Sequence, residues 1–106
     1  DMFKSEGNAL PTPSLIISQV CKFYSVDENV LRGTLKNKGV AEARQMAMYL
    51  IRKLTNLSLP EIGKEFGRDH STVLYAIRKV EVALKNGDTT VQNNIRDITA
   101  NINSCL

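Results

Sequence analysis

Apolar residues return every three or four positions through most of this chain, and their phase resets at a few polar breaks. Leu15, Ile16, Val20 and Phe23 recur at helical spacing behind Thr12-Pro13, an N-cap followed by proline at the first helical position. That pattern predicts a helix over 13–24. Asp27 is placed to cap a short helical turn through Val30-Leu31. Residues 40–55 predict the longest helix, carried by Ala41, Ala43, Ala47, Met48, Leu50, Ile51 and Leu54. Ser58-Leu59-Pro60-Glu61 reads as a capping box with proline in the first turn, opening a helix that runs to Phe66 and stops at Gly67. Asp69 caps the next helix, whose Val73, Ala76, Ile77, Val80 and Leu84 stripe carries it to about Asn86 before Gly87 ends it. A last helix starts at Thr89 or Thr90, with Val91, Ile95, Ile98 and Ile102 on one side. No convincing strand appears. The pattern predicts an all-α fold, a bundle of about six helices built around a helix-turn-helix. Residues 1–12 read as a linker or frayed approach and 13–106 as one domain. Gly33-Thr34-Leu35-Lys36-Asn37-Lys38-Gly39 reads as a basic loop, having two glycines and no apolar period.

Charge changes this picture more than composition does. A chain of 106 residues with 42% hydrophobic positions can bury a modest core without disulfide or metal staples. Tryptophan is absent and aromatics are few, which argues against a single-strand stacking platform. The net charge of +3 is unevenly spread: residues 32–53 carry Arg32, Lys36, Lys38, Arg44, Arg52 and Lys53 against Glu42 alone. A polyanion would meet the middle of the chain. Cys21 and Cys105 lack paired spacing, and with one histidine no zinc site or other cofactor is expected. Cys21 sits among apolar residues and is expected to pack as a small hydrophobe. Two lone cysteines, no signal peptide and no apolar run of membrane-spanning length fit a cytoplasmic protein. Beginning at Asp1 rather than Met, the sequence reads as a piece of a longer one.

One polar cluster stands apart. Arg68-Asp69-His70-Ser71-Thr72 opens a helix directly after a glycine turn, and a single cap needs only one such residue. A helix start of this kind offers free backbone N–H groups together with side-chain donors and acceptors. That is the end of a recognition helix that reaches base edges in a major groove. Histidine can donate to a guanine or thymine acceptor, serine can donate or accept, and Asp69 can accept from a cytosine amino group. Catalysis is not expected: Asp69, His70 and Ser71 are sequence neighbours that point in different directions from a helix and cannot form a triad with one another.

The same residues carry a family resemblance. Gln45-Met46-Ala47-Met48-Tyr49-Leu50, Leu59-Pro60-Glu61-Ile62-Gly63 and Phe66-Gly67-Arg68-Asp69-His70-Ser71-Thr72-Val73 closely resemble the C-terminal DNA-binding domain of the bacterial replication initiator DnaA. The resemblance implies sequence-specific binding of double-stranded DNA, as a monomer, at a short, non-palindromic, A·T-containing box of a replication origin in the bacterial nucleoid. It implies major-groove reading by Asp69, His70 and Ser71, and minor-groove reading by Lys38. It implies backbone contacts from Arg44, Gln45, Arg52, Leu59, Pro60, Arg68 and Thr72. Arg44 and Arg52 lie two turns apart and are expected to share a broad exposed face, and the helix opened by Leu59 and Pro60 can offer backbone N–H groups to a phosphate. Relatives carry an ATP-binding module upstream, and this chain holds no GxxxxGK[ST] or GxGxxG motif. Four departures stand out: only Gly67 where many relatives have two glycines, Ser71 where threonine is common, Ala43 where proline is common, and Lys38 where arginine is frequent. The rival expectation is a helix-turn-helix transcription regulator, a class that usually dimerises on palindromes.

Overall fold

The structure is a computed structural model and describes residues 10–34 and 37–106. The first nine residues of the expected linker, and Leu35 and Lys36 of the expected basic loop, lie outside the described residues. Six helices follow one another: α1 (Pro13–Tyr24), α2 (Glu28–Arg32), α3 (Lys38–Leu54), α4 (Leu59–Phe66), α5 (His70–Lys85) and α6 (Thr89–Ser104). No strand occurs among the described residues, so the all-α reading holds.

Side-chain caps set most of the boundaries. Thr12 Oγ1 accepts from the Leu15 N–H at 3.1 Å, and Asp27 Oδ1 from the Asn29 N–H at 2.8 Å. α3 begins two residues before the predicted start. Asn37 Oδ1 accepts from the Val40 N–H at 2.8 Å, so Lys38 and Gly39 are helical rather than part of a loop. α1 stops where Ser25 turns left-handed, at φ 56°. α6 starts at Thr89, with Asp88 as its cap.

α3 lies at the centre and packs against α1 on one side and α5 on the other. Its Ala43, Met46, Ala47, Leu50 and Ile51 meet Ile16, Ile17 and Val20 of α1, Ile62 and Phe66 of α4, and Val73, Ala76 and Ile77 of α5 in one core. Ile98 and Ile102 bring α6 into the same cluster. Phe23, expected in the α1 stripe, sits at the surface, while Cys21 packs inward as expected. Burying a side chain such as Ile62 or Phe66 is worth about 1.5–3 kcal/mol, which is how a helix as short as α4 is held in place.

The turn between α4 and α5 rests on two glycines with different jobs. Gly67 adopts φ 64°, a conformation that a side chain would strain. Gly63 lies inside α4, and a Cβ built there falls on the Arg68 carbonyl oxygen. Its own carbonyl accepts from the Arg68 N–H at 2.9 Å. The bare backbone of Gly63 therefore lets the turn fold tightly back on α4, and that close approach aims α5.

Candidate nucleic-acid interface

At the start of α5, Asp69 Oδ1 accepts from the Thr72 N–H at 2.9 Å. This bond, with help from His70, holds the Asp69 carboxyl below the ordinary carboxylate range. The cap leaves the rest of the first turn open: Asp69, His70, Ser71 and Thr72 are all exposed. His70 and Ser71 sit where a helix has no carbonyl for its first N–H groups. Below them, Tyr75, Arg78 and Val82 follow Ser71 at helical spacing and are also exposed, so one side of α5 is uncovered along its length.

A second row lies on α3. Lys38, Gln45 and Arg52 recur every seven residues, which keeps them on one side of the helix over about 21 Å. Lys38 and Gln45, with Lys79 of α5, line an open groove of about 480 Å³ that also borders Tyr24, Asp88 and Asn94. Arg52 is exposed, and its Nη1 donates to the Leu57 carbonyl at 2.9 Å, tying the end of α3 to the approach to α4.

The start of α4 has a spare donor. Ser58 Oγ accepts from the Glu61 N–H at 3.2 Å, and Glu61 Oε1 accepts from the Ser58 N–H at 2.9 Å. That second bond pulls the Glu61 carboxyl below its ordinary range. Pro60 has no N–H. Leu59 therefore supplies the N–H of this end that neither the box nor the helix uses.

Arg44 does not stand where the sequence suggests. It is only 9% exposed and does not share an open face with Arg52. Its Nε donates to the Leu31 carbonyl at 2.8 Å, and its Nη2 to the carbonyls of Gly33 at 3.1 Å and Val30 at 3.4 Å. It thus caps the C-terminal end of α2 with a cation. Burial, and then the neighbouring Arg68, lower its pKa from the ordinary arginine value. Arg68 is half-buried and reaches the same place: Nη1 donates to the Phe66 carbonyl at 3.0 Å and Nη2 to the Gly33 carbonyl. Two guanidiniums therefore meet on one carbonyl oxygen.

The structure brings Arg44, Arg68 and Gly33 together, and places Lys38, Gln45 and Arg52 in a row. Leu59 and Pro60 open α4, at the opposite end from the turn that leads to His70. The sequence reading overlooked three residues of this arrangement. Gly63 carries no role in the sequence pattern beyond its motif, although a glycine inside a helical pattern signals close packing. Gly33 was read only as a loop residue. Arg32, whose Nη1 donates to the Glu65 carbonyl, was counted only as charge. No local pattern announces the ties of the last two to the α4–α5 turn, because Glu65 and Arg68 lie more than thirty residues away.

Residues 13–80 match the family described as "Bacterial dnaA protein helix-turn-helix". The chain is 42% identical over 91 residues to the chromosomal replication initiator protein DnaA of Caldanaerobacter subterraneus subsp. tengcongensis, covering 86% of this chain and 20% of that protein. It is 47% identical over 90 residues to the protein of the same name from Limosilactobacillus reuteri, covering 84% of this chain and 20% of that protein. The chain thus spans about a fifth of the length of the curated relatives it matches. Among solved structures, it resembles a DNA replication initiation factor with a TM-score of 0.72 at 36% identity, over 85% of this chain and 29% of the other. AMPPCP-bound DnaA from Aquifex aeolicus gives a TM-score of 0.64 at 37% identity, over 85% of this chain and 28% of the other.

Proposed function

This chain belongs to the bacterial DnaA helix-turn-helix family, as its C-terminal DNA-binding domain, and on that premise we propose that it binds short DnaA-box-type sites in duplex DNA. The first turn of α5 enters the major groove, where His70, Ser71 and the remaining capacity of Asp69 meet base edges. Lys38, at the start of α3, reads the adjacent minor groove at A·T pairs, where the groove is narrow and strongly negative. Gln45 and Arg52 on α3, the Leu59 N–H beside Pro60, and Thr72 hold phosphates and set the register. Arg68 contributes on the backbone side, and Arg44 acts from behind through Gly33. The observation that carries this reading is the exposed, Asp69-capped start of α5 beyond a tight glycine turn. A structural cap alone does not explain four consecutive exposed polar residues at that point.

The biological setting follows as part of the same proposal. The domain serves as the DNA-reading part of a longer replication initiator acting at an origin on the bacterial nucleoid, in the cytoplasm. It binds one box as a monomer, and it is not itself an enzyme. No helix among the described residues is long and apolar enough to cross a membrane.

The test is selection from a random duplex pool, followed by sequencing of the bound fraction and titration of the winner. The expected outcome is one short, asymmetric, A·T-containing box bound by a single chain. Enrichment of a palindrome bound by two chains would instead mean a dimeric regulator, and no enrichment would remove the recognition role altogether.

A further inference from the structure

The end of α2 is built as a junction. α2 has only five residues, yet three carbonyls at and just beyond its C-terminus accept from elsewhere in the fold: Val30 and Leu31 from Arg44, and Gly33 from both Arg44 and Arg68. Arg32, its last residue, points the other way. Its Nη1 donates to the Glu65 carbonyl, and its guanidinium lies 3.5 Å from the Glu65 carboxylate and 3.7 Å from that of Glu28. Glu65 is the second-last residue of α4, and Arg68 immediately precedes the cap of α5. α2 therefore grips the α4–α5 turn at two points, one on each side of Gly67. Gly33 itself is confined, since a Cβ there would sit 3.1 Å from the Asn29 carbonyl oxygen.

We infer that Arg32 is a positioning residue for sequence recognition, holding the C-terminal end of α4 against α2 so that the first turn of α5 meets base edges in one orientation. This rests on the DNA-binding reading above. Arg32 touches no base or phosphate in that reading. The hydrogen bond that carries the effect is the one to the Glu65 carbonyl, because a last-turn carbonyl is an orphan acceptor that a cation satisfies well. The surrounding ion pairs are half-exposed and contribute little. Freeing the turn lets α5 tilt, and bidentate or directional contacts to bases lose more from a tilt than phosphate contacts do.

The test uses the 106-residue chain and four duplexes: the selected box, the box with one major-groove base pair replaced, the box with its A·T minor-groove pairs changed to G·C, and an unrelated sequence. Arg32→Ala is expected to lose about five- to tenfold of its discrimination at the major-groove pair, the size of one ordinary net hydrogen bond, since only part of the lost bond's worth reaches the base contacts. It should keep its A·T preference and its salt slope on unrelated DNA. Arg32→Lys should recover part of the loss, since an ammonium can still reach one carbonyl. Glu65→Gln should keep full discrimination, because the carbonyl remains. In a His70→Ala background, Arg32→Ala should cost no further discrimination. Thermal melting separates misfolding from misplacement. An equal loss on all four duplexes that tracks a lower melting temperature would reduce Arg32 to a purely structural role and overturn the inference. So would unchanged discrimination in Arg32→Ala, or a loss in Glu65→Gln as large as that in Arg32→Ala. If the unmodified chain prefers no duplex, the DNA-binding reading itself fails. If it is selective and Arg32→Ala is equally so, only the positioning role fails.

Discussion

The first turn of α5 and the end of α2 are both rich in polar and cationic groups, and they are built on opposite plans. At the start of α5 the groups are exposed, and a single cap bond from Asp69 satisfies the one N–H it needs. At the end of α2 the guanidiniums of Arg32, Arg44 and Arg68 are folded inward onto backbone carbonyls. The first region leaves its hydrogen-bonding capacity open to solvent, while the second directs much of its own onto the protein's backbone. Arg44 and Arg52 make the contrast on one helix: two turns apart, one is nearly buried and the other exposed. A basic residue in a DNA-binding domain is thus no guarantee of a DNA contact, and burial decides which kind of work its charge does.

The contrast is broken most directly at the buried end. Arg44→Ala should destabilise the fold by about 3 kcal/mol, because it leaves the buried Leu31 carbonyl without its donor, thins the bonding at Val30 and Gly33 and empties a buried site, and chemical denaturation reads this off as a shifted midpoint. A loss confined to DNA affinity, with the midpoint unchanged, would place Arg44 with the exposed group. Gly63→Ala comes next. Its methyl group collides with the Arg68 carbonyl, and the expected cost is about 2 kcal/mol, with base preference blurred in whatever fraction remains folded.

Changes at the exposed end should spare the fold and cost binding. His70→Ala is expected to lose about 1–2 kcal/mol on the selected box and to flatten preference there, at an unchanged melting temperature. Arg52→Ala should weaken every duplex alike and lower the salt slope by about one unit, seen in titrations across salt concentrations. The smallest effect is in acid. Asp69 and Glu61 have folded pKa values below their ordinary ones, so their caps add stability above the usual carboxylate range. That contribution fades as pH falls through the lowered values. Asp69→Asn, which retains an acceptor but no charge, should flatten this part of the stability–pH curve without moving the neutral limb much.

Much of this was legible from the residues. Thr12, Asp27, Ser58 and Asp69 act as caps as their local sequence suggests, because a cap reads only three residues ahead. Asn37 is also a local cap, but it sat within a stretch that two glycines and two lysines made look irregular, and so α3 starts earlier than its apolar pattern. Cys21 packs inward as its apolar neighbours suggest, whereas Phe23 falls outside the core because helical periodicity fixes a side only to within a residue when four apolar candidates crowd one stripe. The exposed start of α5 was visible as an excess of polar residues over what capping requires. The junction at Gly33 was not visible. It joins positions 32, 33, 44, 65 and 68, and nothing in the local spacing of an arginine says whether its guanidinium turns to solvent or to a distant carbonyl.

The two thiols differ in a way that helps any solution study of this domain. Cys21 is buried and free, and its burial, reinforced by Glu28 and Asp27, raises its pKa, so little of the reactive thiolate forms near neutrality. Cys105 is exposed just beyond α6, within 3.5 Å of Gln19 on α1. A maleimide dye should therefore attach at one position without any prior mutagenesis. It would sit beside α1, where it can report on tumbling and complex formation without touching α5.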